Sequence, residues 1–181
     1  MTPQDRLLAL YAKATPDQKR EGREWYPRAY IDCCGAGRAF VHTDRGEMAP
    51  WTPAECCAVA AAFSPRVAWE QALRKLRALR DTGVFAGHTR AICRTVERLV
   101  STPREEWPSL CGPKVNAFRE ALLGDQSSAV CDVHMYRAMG YEPGAVPHER
   151  GAYHIVRAAE RVCEPVAYFQ ATVWVVQRGR S

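Results

Sequence analysis

Two residues in this sequence combine a reactive side chain with a setting that could use it. Lys114 stands directly behind Gly112-Pro113, and Asp132 opens the segment Asp132-Val133-His134. A lysine amine becomes a nucleophile when desolvation lowers its pKa. A fixed carboxylate stabilises positive charge that builds on a substrate in the transition state. Each residue also has a plainer use, a phosphate contact at a helix start for Lys114 and a helix N-cap for Asp132. Lysine is scarce here: Lys13, Lys19 and Lys75 are the only others in a chain that otherwise uses arginine. Of those two cations, only lysine can serve as a nucleophile.

The elements that position this pair are legible around it. Gly112-Pro113 marks a tight turn, and Pro113 suits the first position of a helix, where its missing N–H costs nothing. Val115, Phe118, Ala121 and Leu122 recur at helical spacing until Gly124 stops the run. A polar turn over Asp125 to Ser128 and the apolar Ala129-Val130-Cys131 lead to Asp132. That aspartate caps a second helix with Val133, Tyr136 and Met139 on one side.

This order of turn, lysine, helix, loop and capping aspartate resembles the helix-hairpin-helix DNA glycosylase superfamily, its endonuclease-III-like branch in particular. Gly112-Pro113-Lys114 matches the end of that family's hairpin, and Cys131-Asp132-Val133-His134 its later aspartate segment. The separation of 132 − 114 = 18 residues is the one that branch uses. The family's first hairpin glycine falls here at Leu110. The Ala62-Phe63-Ser64-Pro65 junction resembles the family's element between early helices, with Arg66 or Trp69 in place of its base-probing glutamine; a core role for Trp69 is the simpler reading.

The resemblance implies an enzyme that flips a modified or damaged base from double-stranded DNA and excises it, a DNA N-glycosylase with AP-lyase activity. Asp132 would then stabilise the oxocarbenium and Lys114 would attack C1′. It implies DNA contacts from Leu110, Gly112, Pro113, Asn116, His134, Arg66 and Arg90, with no cofactor and no metal. An alternative on the same fold is a bacteriophage enzyme that completes hypermodified thymines, an amino acid:DNA transferase, acting on a base without excising it. A third reading is a DNA-binding module with no chemistry.

Composition sets the frame for these readings. The 181 residues suit one domain with a helical extension and can bury a real core. No apolar run approaches the roughly eighteen residues of a membrane span, and the polar start with Asp5 and Arg6 is no signal peptide. A soluble, cytoplasmic monomer is the expectation. The eight cysteines include the adjacent pairs Cys33-Cys34 and Cys56-Cys57 but no C-x-x-C, so reduced and mostly buried thiols are expected, without an iron–sulfur cluster. Neither metal-ligand spacing nor a phosphate-cradling loop occurs. Net charge is 25 − 20 = +5. Arg66 to Arg104 holds nine basic residues against Glu70, Asp81 and Glu97. That excess is either a solvated helix face or a phosphate-attracting one.

In chain order the reading is all-α, an N-terminal helical extension over residues 1–50 and a glycosylase-like domain over 51–181. Thr2-Pro3 starts a short helix with Leu7, Leu8 and Tyr11 on one face. Thr15-Pro16 starts another that runs toward Trp25 and is bent by Pro27, and Gly35 to Pro50 is a loop-rich connection. Thr52-Pro53-Ala54-Glu55 starts a helix through Phe63. Trp69, Ala72, Leu73, Leu76 and Leu79 then form a stripe opposite arginines. His88 to Val100, a run through Tyr153 and Ile155, and an apolar run from Val166 to Val176 complete the helices.

Overall fold

Helices begin where the threonine–proline signals place them. Thr2 and Thr52 each accept a backbone N–H, from Asp5 and Glu55, and those carboxylates reach back to the cap's own N–H. Proline follows each cap at a position where no N–H is needed. The computed structural model describes residues 1–37, 52–64, 67–82, 90–102, 106 and 111–179. In order along the chain these form α1 (Pro3–Ala12), α2 (Pro16–Gly37), α3 (Pro53–Phe63), α4 (Trp69–Thr82), α5 (Arg90–Ser101), α6 (Pro113–Leu122), α7 (Val133–Met139), α8 (His148–Arg161) and α9 (Val166–Arg178). Among the described residues there is no strand, and the fold is all-α.

Helix ends are as well specified as the starts. After α6, Gly124 at φ +98 donates to the Ala121 carbonyl and Asp125 to that of Glu120, the double closure that left-handed glycine permits. Gly140 ends α7 in the same way, with Gly140 bonded to Arg137 and Tyr141 to Tyr136. The end of α8 repeats the pattern with a cysteine: Cys163 adopts φ +53 while its N–H and that of Glu164 bond to Glu160 and Ala159.

The chain divides into two compact units, residues 1–28 with 120–181, and residues 29–119. The first unit has its core where α1, α7, α8 and α9 meet, with Leu7, Ile155, Phe169 and Val173 fully enclosed. Gly22 of α2 lies so close to α9 that an added Cβ would sit 2.3 Å from the Thr172 hydroxyl. In the second unit α3 packs on α4 and α5. From Glu55 to Phe63 every residue of α3 is buried, which its run of alanines, cysteines and valine allows. The expected stripe Ala72, Leu73, Leu76 and Leu79 is buried on α4, and half-buried Trp69 meets Phe118 edge-on at 5.7 Å.

Two expectations are corrected here. The units do not part at residue 50, and α1 is no extension: Leu7 is 0% exposed within the first unit's core. Its stripe of Leu7, Leu10 and Tyr11 is apolar enough to make it a core helix. Nor does a loop begin at Gly35, since α2 continues to Gly37. Gly37 has a tertiary reason to stay helical, because its backbone abuts Cys56 of α3.

Candidate functional site around Asp132

The approach to Asp132 is a short extended segment whose backbone groups are claimed by side chains from distant parts of the first unit. The Val130 N–H donates to Gln170 Oε1 at 2.7 Å, and the Cys131 N–H to His148 Nε2 at 3.2 Å. The Gln170 amide nitrogen donates in turn to the Tyr26 hydroxyl at 2.6 Å and to the Ser128 carbonyl at 3.5 Å. Gln170 and Tyr26 are both buried. A buried amide of this kind is stable because nearly all its bonding capacity is used, so it fixes the segment it grips.

Asp132 follows as the cap of α7. Its Oδ1 accepts the Met135 N–H at 2.8 Å, and its carbonyl accepts from Tyr136. The positive end of the helix dipole favours the charged carboxylate. The residue is half-buried, and among the described residues no cation pairs with it and Oδ2 has no hydrogen-bond partner. Burial first, then the Asp132 charge, push the Tyr26 phenol well above its ordinary pKa, so it stays protonated.

An aromatic group belongs to the same unit. His134, two residues past Asp132, meets Trp174 edge-on at 6.3 Å, and Trp25 meets that ring at 5.6 Å. The Arg178 guanidinium lies 4.5 Å over the Trp174 ring. Trp25, Trp174 and His134 are all half-buried. Such an arrangement offers a fixed negative oxygen beside π-surfaces, which suits a planar ring bonded to a carbon that becomes cationic.

The remaining expected site residues lie in the second unit or outside the described residues. Gly112 and Pro113 are exposed at the start of α6, and Lys114 is half-buried in its first turn. Asn116 Nδ2 donates to the Cys111 carbonyl at 3.1 Å, tying the turn to the helix. Burial raises the Cys111 thiol's pKa, and the nearby Arg119 and Arg98 oppose that rise, so two guanidinium groups stand close to this turn. Arg90 is exposed at the start of α5, with Arg94 and Arg98 exposed at successive intervals of four. Gly112, Pro113, Lys114 and Asn116 are therefore together, and Asp132 and His134 are together in the other unit. Leu110 and Arg66 lie outside the described residues.

Sequence reasoning passed over Gln170, Tyr26, Trp25, Trp174 and His148. The available signal was Gln170, a polar residue inside the apolar run Val166 to Val176. Among the described residues no group of three histidines, cysteines or acids could hold a metal ion, and no helix is long and apolar enough to cross a membrane.

Fold and site together define an all-α protein with a clamped, half-buried carboxylate. The chain belongs to DUF7178, a family of unknown function whose profile matches residues 2–181. No curated protein and no solved structure matches it.

Proposed function

We propose that the protein processes a base in double-stranded DNA, most simply by excising a modified or damaged one. In this reading Asp132 supplies the negative charge beside a developing oxocarbenium and Lys114 supplies the amine that captures C1′. The observation that carries it is Asp132 itself: one carboxylate oxygen fixed on α7, the other without a partner among the described residues, on a segment held by Gln170 and His148. Structural aspartates are ordinarily paired or solvated, whereas preorganised unpaired charge is what electrostatic catalysis uses. The Trp25, Trp174 and His134 rings offer surfaces on which an extruded base can stack. Arg90, Arg94 and Arg98, exposed on one side of α5, suit phosphate contacts.

The test uses duplex oligonucleotides carrying deaminated, oxidised, alkylated, abasic or phage-type hypermodified thymine positions. Borohydride is added to trap an imine, and nucleosides are read by mass. Release of a base, with an adduct lost in Lys114→Ala, is the expected result. A nucleoside of altered mass retained in the strand would move the activity to base modification. Binding without either product would overturn the enzymatic reading.

A further inference from the structure

Four of the eight cysteines occur as two adjacent pairs, Cys33-Cys34 in the last turns of α2 and Cys56-Cys57 in the first turns of α3. The fold gathers all four in the second unit. The Cys33 and Cys57 thiols hydrogen-bond to each other, and Cys34 and Cys56 lie close beside them. One turn past Cys33, Gly37 presses on Cys56 so tightly that an added Cβ would lie 2.1 Å from its Sγ. Two contacts, Cys33 to Cys57 and Gly37 to Cys56, thus fix the register of one helix end against the other.

Small apolar packing alone would explain a buried cysteine, since cysteine behaves as a small hydrophobe. It does not require two thiols on different helices to meet each other. Thiols already in hydrogen-bond contact need only a small side-chain rotation and approach to reach bonding distance. We propose that Cys33 and Cys57 form a peroxide-driven disulfide that links α2 to α3, with Cys34 and Cys56 as bystanders. One thiol attacks the peroxide, taking one oxygen to become a sulfenic acid and releasing water. The second sulfur then displaces that oxygen as another water, so two thiols lose two electrons and two protons to one peroxide.

Both sulfurs of the pair are 0% exposed. The Cys57 hydrogen bond and then burial keep the Cys33 thiol protonated, so the reaction is slow beside that of the exposed Cys163. This inference is independent of any action on DNA.

The folded full-length chain is treated with hydrogen peroxide, alkylated in denaturant and digested with trypsin. The expected product joins the peptide of residues 29–38 to that of residues 46–66 and weighs two hydrogens less than their sum. It should disappear in Cys33→Ala and in Cys57→Ala, persist in Cys34→Ala and Cys56→Ala, and revert with dithiothreitol. Because the link shortens the unfolded chain's freedom, the oxidised wild type should melt about 5 °C higher. The proposal is overturned if Cys163 oxidises while no 29–38 to 46–66 link appears. A link that forms only after unfolding, or that survives loss of either partner, overturns it as well. The primary readout is on the wild-type chain, so a variant that fails to fold leaves the test intact.

Discussion

In residues 1–28 and 120–181 polar side chains are drawn inward and bonded, whereas in residues 29–119 charged side chains mostly stay on the outer faces of helices. Gln170 grips Val130, Ser128 and Tyr26, while Glu164 holds the Tyr11 hydroxyl at 2.9 Å and the Arg23 guanidinium through two contacts. On α4 and α5, by contrast, Arg74, Arg77, Arg90 and Arg94 are exposed over a core of small and aliphatic residues. Arg80 is the exception, donating to the Ala36 carbonyl at the end of α2. The first arrangement fixes a carboxylate in place, as chemistry requires; the second presents charge that can adapt to a phosphate chain.

The strongest way to break this contrast is Gln170→Leu. It keeps the volume but strips the Val130 N–H and the Tyr26 hydroxyl of a buried partner, so urea denaturation should show a loss of about 2–4 kcal/mol. Arg77→Ala, on the exposed face of α4, should stay within about 0.5 kcal/mol. Equal losses would erase the difference between the regions.

Gly22→Ala sharpens the same point. The new methyl would meet Thr172 side chain and backbone at 2.3 to 2.7 Å, and backbone cannot move aside cheaply. Helix propensity favours alanine, yet overpacking should win and lower stability by about 1–3 kcal/mol. A rise in melting temperature would show that α2 and α9 can separate there.

Acid should loosen the first region through Glu164. Its hydrogen bonds, that from Arg23 foremost, hold the carboxyl below its ordinary pKa of 4.5, against the opposing effect of burial. A lowered folded pKa contributes stability that is present above pH 4.5 and is lost as pH falls through the folded value. The melting temperature should therefore decline below that pH, and Arg23→Ala should flatten this part of the curve. An unchanged acid limb in the variant would contradict the pairing.

The smallest effect is expected at Cys163, whose positive φ suits glycine better than cysteine. Cys163→Gly should raise stability by about 0.5 kcal/mol, visible as a modest increase in melting temperature. A decrease would mean that the side chain contributes more than its backbone strain costs.

Local signals in the sequence located most helices. Thr52-Pro53 with Glu55, Gly124 after Leu122, and Asp132 before Val133 all do what their chemistry suggests, because a cap involves residues only three or four apart. The stripe on α4 was legible for the same reason. What was hidden depends on partners far apart in sequence. Tyr26 and Gln170 are separated by 144 residues, and nothing local to either reveals the other. Gly35 and Gly37 read as loop signals, yet both lie within α2, where the contact of Gly37 with Cys56 outweighs propensity. The Lys114 and Asp132 spacing carried a family resemblance, while the clamp that fixes Asp132 carried no sequence pattern at all.

The most direct test concerns the charge on Asp132. Asp132→Asn retains a side chain that caps α7 as well as aspartate does, so its melting temperature should match the wild type. On any DNA substrate that the wild type converts, single-turnover rates should fall about a hundredfold or more, because the negative oxygen is gone while the geometry stays. Wild-type rates in Asp132→Asn, together with a loss of about 1 kcal/mol in Asp132→Ala, would contradict this and reduce Asp132 to a helix cap.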